Sequence, residues 1–478
     1  MRLSSLAGEP VSPDPEIAGL TADSRMVKQG FLFAAIPGFS QDGSKFVPQA
    51  EKNGAAAILA PPGVASTLPV IHDREPRRRF AKMAARFFPD QPKFMAGVTG
   101  TNGKSSTVVF AEQLWAMLGR RAGSIGTLGA TGAGYSRKLE HTTPEPALLH
   151  EVLSEMAGAG VEAAAMEVSS HAIAQARADG VKFSCAAFTN ITQDHLDFHN
   201  SFEEYFSAKQ RLFSELAPAD GTAIVNCAGA GADRIIEDAR KRGMRVIETG
   251  PGAKDLCCER ADPTPDGLSL KVVADGEDFE IVLPLVGAFQ AQNALLAAGI
   301  VVASGVAPRD VLPLLARLKG APGRMQRVGE IAGAGVYVDY AHTPDAIETA
   351  IQAIAPHTKG KVIALIGAGG DRDRSKRALM GKAAERADTI IVTDDNPRTE
   401  DASEIRKAVM KGAPGAREIS DRREAIETGV SLLGAGDVFL IMGKGHETGQ
   451  LVGKTVLPFD DAHEAALAIA KIGKELGR

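Results

Sequence analysis

Between Phe94 and Ser106 the chain reads FMAGVTGTNGKSS. A short apolar run, Phe94–Val98, gives way to a glycine-rich turn, after which Val108, Ala111, Trp115 and Leu118 recur at three- and four-residue steps. That spacing is one face of a helix. In a strand, glycine turn and helix taken in that order, backbone N–H groups turn inward around phosphate oxygens, and the helix N-terminus adds about half a positive charge. Gly100, Thr101, Asn102 and Gly103 make the turn; Lys104 would meet the terminal phosphates and Ser105 a Mg²⁺ ion, with Ser106 closing the stretch. The strict G-x-x-x-x-G-K-[ST] pattern is not met, because Val98 occupies the first glycine position and Gly97 comes one place early. A glycine turn beside an ordinary surface lysine is the plain alternative.

Working outward, the apolar runs Val161–Val168 and Phe183–Phe188 flank a polar stretch of helical length, the βαβ pattern of a parallel sheet. The last third repeats that pattern: Val336–Val338, Val362–Ile366, Ile390–Val392 and Val438–Met442 are each followed by a polar turn, with helical stretches such as Ser375–Arg386 between them. In open α/β sheets ligands bind outside the carboxyl ends of strands, so the chemistry is expected in those turns. Proline and glycine clusters at Phe87–Lys93 and Leu318–Met325 mark two joints and divide the chain into residues 1–92, 93–324 and 325–478. The first segment, with strand-like runs at Gly30–Ile36 and Ala55–Leu59, reads as a small α/β module. Its cluster Arg74, Arg77, Arg78 and Arg79 reads as a solvated helix face. The expected architecture is α/β in three domains: a small N-terminal α/β domain, a central P-loop domain on a parallel sheet, and a Rossmann-like C-terminal domain.

Composition narrows the class. The 478 residues carry 54 Lys+Arg against 59 Asp+Glu, a formal charge of -5, which argues against a sequence-blind nucleic-acid binder. No run of 18 apolar residues exists, and the opening MRLSSLAGEP has no apolar signal core. The four cysteines, Cys185, Cys227, Cys257 and Cys258, show no C-x-x-C spacing. A reduced, cytoplasmic enzyme working on small molecules, with neither nucleic acid nor membrane as partner and as a monomer, is the expectation.

GTNGKSS after a strand resembles the Mur ligase and folylpolyglutamate synthetase superfamily, whose members phosphorylate a carboxylate with ATP and let an amine displace the phosphate. The resemblance implies Mg²⁺ held by Glu167, at the end of its strand in MEVSSH, and by His195 in TNITQDHLDFH. It also implies that Lys209, in YFSAKQRLF, is an N-carboxylated lysine whose carbamate helps to hold a second Mg²⁺. Only a neutral amine captures CO₂, so such a lysine needs its usual pKa lowered. Asn293 (QAQNA) is implied near the adenine, and Arg324 at the second joint with Asp339 and His342 (DYAH) at the phosphates and ribose. Residues contributed across a joint imply closure during turnover.

Within the Mur ligases, the first segment resembles the uridine-binding domain of the enzymes that add the third amino acid of peptidoglycan precursors. Ser24 and Phe39, Ser40 and Gln41 are the implied UDP contacts; Thr142, Thr143, Ser169, Gln175 and Arg177 are the implied contacts to the muramoyl dipeptide. The residue before the threonine pair is His141 where those enzymes usually have Asn. The sharpest motif is Asp395-Asn396-Pro397-Arg398, directly after Ile390–Val392. The end of meso-diaminopimelate remote from the attacking amine carries both ammonium and carboxylate. Arg398 offers a bidentate clamp for the carboxylate and Glu447 (GKGHE) a partner for the ammonium. Asp395, Asn396, Pro397, Arg372 and Gly443 are the implied further contacts. A lysine substrate would leave the arginine unpaired. The resemblance implies ATP-dependent addition of meso-diaminopimelate to the D-glutamate of UDP-MurNAc-L-Ala-D-Glu as the expected reaction. A folylpolyglutamate synthetase-like ligase and a nucleotide-sensing P-loop module are the rivals.

Overall fold

The computed structural model describes residues 1–38, 42–192 and 198–475. The chain forms two compact units, Met1–Cys257 with Leu295–Val311, and Cys258–Ala294 with Leu312–Arg478. Among the described residues no helix is long and apolar enough to cross a membrane.

The first unit opens with a four-stranded parallel sheet in the order Gly19–Thr21, Phe31–Ala34, Ala57–Ala60, Val70–His72. Side chains alternate across a strand: Leu32 and Ala34 pack with Leu3, Phe80 and Met83 on one face, while Phe33 and Ala35 pack with Val47 and Ile58 on the other. Burial on both faces explains why these strands read as continuous apolar runs. The expected arginine face is corrected here. Only Arg74 is exposed. Arg78 donates to Asp179 and Glu215 at 2.9 and 3.0 Å, and Arg79 donates to the Ala7 carbonyl at 2.7 Å and to Glu9 at 2.6 Å. Arg77 donates to the Pro37 carbonyl at 2.6 Å and Arg86 to the Leu6 carbonyl at 3.0 Å, so the Pro76–Phe87 helix engages all four of its arginines with acids and carbonyls of the same unit.

The larger sheet of that unit runs Arg245–Gly250, Thr222–Asn226, Cys185–Phe188, Phe94–Thr99, Ala163–Glu167, Ala122–Gly126, all parallel. Gly129–Gly132 and Tyr135–Arg137 extend it antiparallel. From Phe94–Thr99 the chain first moves toward one edge and later returns to pair on the other side, so this strand sits at a switch point, where α/β sheets open a crevice. The helix Lys104–Met117 follows, burying Val108, Ala111 and Trp115, while Leu118 lies just beyond its last turn. The Trp115 indole N–H donates to Ser304 Oγ at 2.9 Å, the polar partner a buried tryptophan needs.

The second unit carries a six-stranded sheet, Gln326–Ile331, Ala334–Asp339, Val438–Met442, Val362–Ile366, Thr389–Val392, Arg417–Glu418, antiparallel only at the first pair. Ile347, Ile351, Met380 and Val409 cover one face, and Ala425, Ile426, Val430 and Ala465 the other. Helices on both faces make it a doubly wound sheet. A small hairpin, Gly449–Val452 with Thr455–Pro458, leans on its carboxyl edge.

Candidate functional site

The glycine turn is built as its composition demands. Gly100 and Gly103 have φ of 146° and 87°, left-handed values that side chains rarely adopt. A Cβ on Gly100 would lie 1.8 Å from Thr189 Oγ1. The loop is braced from the Cys185–Phe188 strand end: the amide of Thr101 donates to the Asn190 carbonyl at 2.9 Å, the amide of Asn102 to Asn190 Oδ1 at 3.1 Å, and Thr189 Oγ1 to the Asn102 carbonyl at 2.6 Å. Sequence reasoning missed Thr189 and Asn190; the Thr-Asn pair directly after an apolar strand was the available signal. Lys104 Nζ donates to the carbonyls of Gly100 and Thr101 at 2.9 and 2.8 Å. Lys209, buried on the Phe202–Arg211 helix, donates to the same Gly100 carbonyl at 2.7 Å and lies 4.4 Å from the centre of the Tyr205 ring.

Register brings an acid to this loop. Val98 pairs with Glu167, so Glu167 ends its strand beside the start of the turn. It is buried and accepts from the Thr127 amide at 2.8 Å. Gly126 makes room for it, since a Cβ there would meet Glu167 Oε1 at 2.1 Å. Around this carboxylate the implied muramoyl contacts gather. Thr143 Oγ1 donates to the Glu167 carbonyl at 2.9 Å, the Ser169 amide donates to Thr143 Oγ1 at 3.2 Å, and Thr142 Oγ1 lies 3.0 Å from Thr127 Oγ1. Ser169 caps its helix by accepting from the Ala172 amide. Arg177 donates to the Thr143 carbonyl at 2.9 Å, to Gln175 Oε1 at 2.7 Å and to Glu145 at 2.8 Å. In this state, then, an acid already occupies part of the guanidinium. His141 is exposed. Ser24 is buried and donates to Gln49 Oε1 at 3.1 Å. His195 and the Phe39, Ser40 and Gln41 stretch lie outside the described residues.

In the second unit, Asn293 Nδ2 donates to Gln290 Oε1 at 3.1 Å, and Gln290 Nε2 donates to the Arg324 carbonyl at 3.3 Å. The Arg324 guanidinium lies 4.8 Å over the Tyr340 ring. Asp339, at the end of its strand, accepts from the amides of Met325 and Ala341 at 2.7 and 2.8 Å. Burial nevertheless raises its carboxyl above the ordinary range, against the pull of Arg324. His342 is exposed, its Nδ1 2.8 Å from the Tyr340 carbonyl, and Tyr340 also faces His446, whose imidazole is pushed down by burial and by Arg324.

The turns after Thr389–Val392 and Val438–Met442 lie side by side. Asn396 is their node: its Nδ2 donates to Glu447 Oε2 at 2.9 Å, and its Oδ1 accepts from Lys444 Nζ at 3.2 Å and from the Leu451 amide at 2.8 Å. Gly443 gives Asp395 clearance, a Cβ there lying 2.9 Å from Asp395 Oδ2. Arg398 has φ of 53°, a left-handed residue other than glycine. Its main chain is fixed on both sides by the small hairpin, through its amide to the Leu451 carbonyl at 3.0 Å and the Gly453 amide to its carbonyl at 2.7 Å. Its Nη1 donates to the Gly370 carbonyl at 2.8 Å; among the described residues Nε and Nη2 make no hydrogen bond, so half the fork stays open. Pro397 forms a tight wall against Gly370, where a Cβ would lie 1.9 Å from the Pro397 carbonyl oxygen. Arg372 is exposed nearby, its Cγ 3.8 Å from where a Gly369 Cβ would stand. Sequence reasoning passed over Lys444 and Arg422. Both are fully buried, and Arg422 pairs with Asp461 through two bonds of 2.7 Å while donating to the Met442 carbonyl at 3.0 Å.

Three family descriptions match in chain order: Mur ligase family, catalytic domain, over residues 16–96; Mur ligase middle domain over 98–301; and Mur ligase, glutamate ligase domain, over 323–445. The UDP-N-acetylmuramoyl-L-alanyl-D-glutamate--2,6-diaminopimelate ligase of Caulobacter vibrioides is 48% identical, covering 98% of each chain. The enzyme of the same name from Brucella melitensis biotype 1 is 46% identical over 95% of this chain and 94% of its own. A solved structure of that ligase superposes with a TM-score of 0.74 at 30% identity over 99% of both chains. A folylpolyglutamate synthase of Mycobacterium tuberculosis complexed with ADP shares the fold, with a TM-score of 0.59 at 21% identity over 77% of this chain and 91% of its own. Glycine loop, paired strand-end turns and end-to-end identity converge, and the chain belongs to the Mur ligase family.

Proposed function

We propose that the protein is an ATP-dependent amide ligase that adds meso-diaminopimelate to the D-glutamate of UDP-MurNAc-L-Ala-D-Glu. The observation that carries this reading is identity of 43–48% along essentially the whole chain to relatives that all bear the diaminopimelate ligase name. The folylpolyglutamate synthase likeness is one of fold alone.

In the proposed mechanism, the loop amides and Lys104 hold the triphosphate and offset the charge that spreads over the transferred phosphoryl group. The D-glutamate carboxylate attacks the γ-phosphorus, ADP leaves, and an acyl phosphate forms. The free amine of diaminopimelate then attacks the acyl carbon, and inorganic phosphate departs with the C–O bond electrons as the amide forms. No enzyme nucleophile is required. Thr142, Thr143, Ser169, Gln175 and Arg177 orient the muramoyl peptide, with Glu145 giving up Arg177 to the substrate's anionic groups; Ser24 serves the uridine end. Asn293, Arg324, Asp339 and His342 serve the nucleotide. The half-open fork of Arg398 takes the remote carboxylate of diaminopimelate and Glu447 its ammonium.

Magnesium suits the donors at hand. Ser105 and Glu167 are hard oxygen ligands beside the phosphate loop, as Mg²⁺ prefers. Among the described residues no three His, Cys, Asp or Glu side chains converge as a cage, so nucleotide oxygens and water would complete the shell. Lys209 would join it only as a carbamate, because the ammonium that donates to Gly100 repels a cation. When bound, the ion would screen the phosphates' negative charge.

The test is phosphate release with UDP-MurNAc-L-Ala-D-Glu, ATP and a panel of amino acids. Release with meso-diaminopimelate, little with lysine, and none with folate and glutamate is expected; release with lysine alone would overturn the assignment of the acceptor.

A further inference from the structure

We infer that Lys444 is a positioning residue that shapes the pocket for the incoming amino acid, by fixing a carboxylate there, Glu447, that stays open to the ligand's ammonium. The inference deepens the ligase reading and rests on it.

Lys444 lies in the turn after the Val438–Met442 strand with its side chain fully buried. A buried ammonium is tolerable only with oxygen partners close by, and it has three: Glu447 Oε2 at 3.1 Å, Asn396 Oδ1 at 3.2 Å and Asp395 Oδ1 at 3.9 Å. These partners come from two different turns. The lysine therefore ties the strand-end turn that carries Arg398 to the one that carries Glu447.

The tie also orients groups. Asn396 Oδ1 accepts from Lys444 and from the Leu451 amide, which sets the amide so that Nδ2 faces Glu447 at 2.9 Å. Glu447 Oε2 is thus held by two donors, while among the described residues Oε1 accepts none, and the side chain is 34% exposed. One oxygen is anchored and its twin is presented. Below, the fully buried Arg422–Asp461 pair donates to the carbonyls of Met442 at 3.0 Å and Asp394 at 3.4 Å, so the strand ends that bear both turns are themselves fixed. Without Lys444, Asp395 and Glu447 would lose the ammonium that links them, and Glu447 would turn toward water. The presented oxygen suits the ammonium half of a zwitterionic amino-acid end.

The test is Lys444→Met in the full-length protein, alone and with Glu447→Gln, read by phosphate release and thermal melting. K444M is expected to raise KM for diaminopimelate at least about tenfold, the scale of hydrogen bonds to a charged group. KM for ATP and for the muramoyl dipeptide should stay within about twofold. Added to E447Q, K444M should raise KM little further, because the lysine acts through that carboxylate. Unchanged KM for diaminopimelate, an additive loss in the double variant, or an equal loss toward all three substrates would overturn the inference. If K444M does not fold, Lys444→Gln, which keeps a donor without the charge, is judged by the same split in KM. Lack of diaminopimelate-dependent turnover in the unaltered protein overturns the ligase reading together with this one; normal turnover in K444M overturns this one alone.

Discussion

Lys104 and Lys209 donate to a single acceptor, the carbonyl oxygen of Gly100, at 2.9 and 2.7 Å. The two ammonium groups approach that loop oxygen from different helices, one at the mouth of the glycine turn and one buried beneath it. Lys104→Met should lower kcat by about 10² to 10³, the range for removing one preorganised charge stabiliser, with little change in melting temperature. Steady-state phosphate release and a melting curve check both halves.

Lys209 can become a carbamate only after shedding its ammonium charge, and the one N–H left on the carbamate nitrogen can keep the bond to Gly100. In CO₂-depleted buffer the rate should fall and return on adding bicarbonate, and Lys209→Met should be slow in both buffers. A rate indifferent to bicarbonate would leave Lys209 as a loop-supporting ammonium.

Gly370→Ala forces the Pro397 carbonyl away from a contact of 1.9 Å. A displacement near 1 Å at a binding group costs on the order of 10² in rate, so kcat/KM for diaminopimelate should drop by about that factor while KM for ATP holds. Arg398→Ala should abolish addition and spare nucleotide binding, seen by ADP titration.

Asp461→Ala would leave Arg422 buried and uncompensated, and urea denaturation should show a loss of about 3–5 kcal/mol. The paired change Arg422→Met with Asp461→Leu, which removes both charges, should recover most of that loss.

Burial lowers the imidazole of His150 to about 4 from its ordinary 6.5. A depressed pKa means that the unfolded chain binds the extra proton first, so this group's contribution is complete above pH 6.5 and is lost as pH falls toward 4. His150→Leu should flatten the acid side of the stability profile over that window, by up to about 3 kcal/mol. Melting temperatures from pH 7 to pH 4 measure it.

Legibility in the sequence followed burial. Val362–Ile366 and Val438–Met442 were read at the bounds they have, because strands covered on both faces show uninterrupted apolar runs. The Val161–Val168 run overshot its strand, Ala163–Glu167, since Val161 and Val168 are as buried as the strand they flank, Val168 giving only its amide to the Val98 carbonyl at 2.8 Å. The two-residue edge strand Arg417–Glu418 and the Gly449–Pro458 hairpin are largely exposed and left no pattern. The glycine turn could be read because its strained φ values admit little else. Lys444 and Arg422 could not: that a cation is buried rather than solvated depends on partners about fifty and forty residues away. Thr189 and Asn190 left a signal, a polar pair at a strand end, but their partners Gly100 to Asn102 lie almost ninety residues away.

The ribbon Gly449–Pro458 holds the main chain of Arg398 in place. Its outer strand is wet along its length, with Val456 65% exposed, while Leu451 of the other strand and Gly453 of the turn clasp the amide and carbonyl of Arg398 in a backbone state that costs roughly 1–3 kcal/mol to hold. If Arg398 takes the acceptor's remote carboxylate as proposed, substrate discrimination is mounted on one of the thinnest parts of the molecule. Heat should blunt the preference for diaminopimelate over simpler amino acids before it unfolds either sheet, and lineages adapted to hot habitats would gain more from stiffening this ribbon than from enlarging a core.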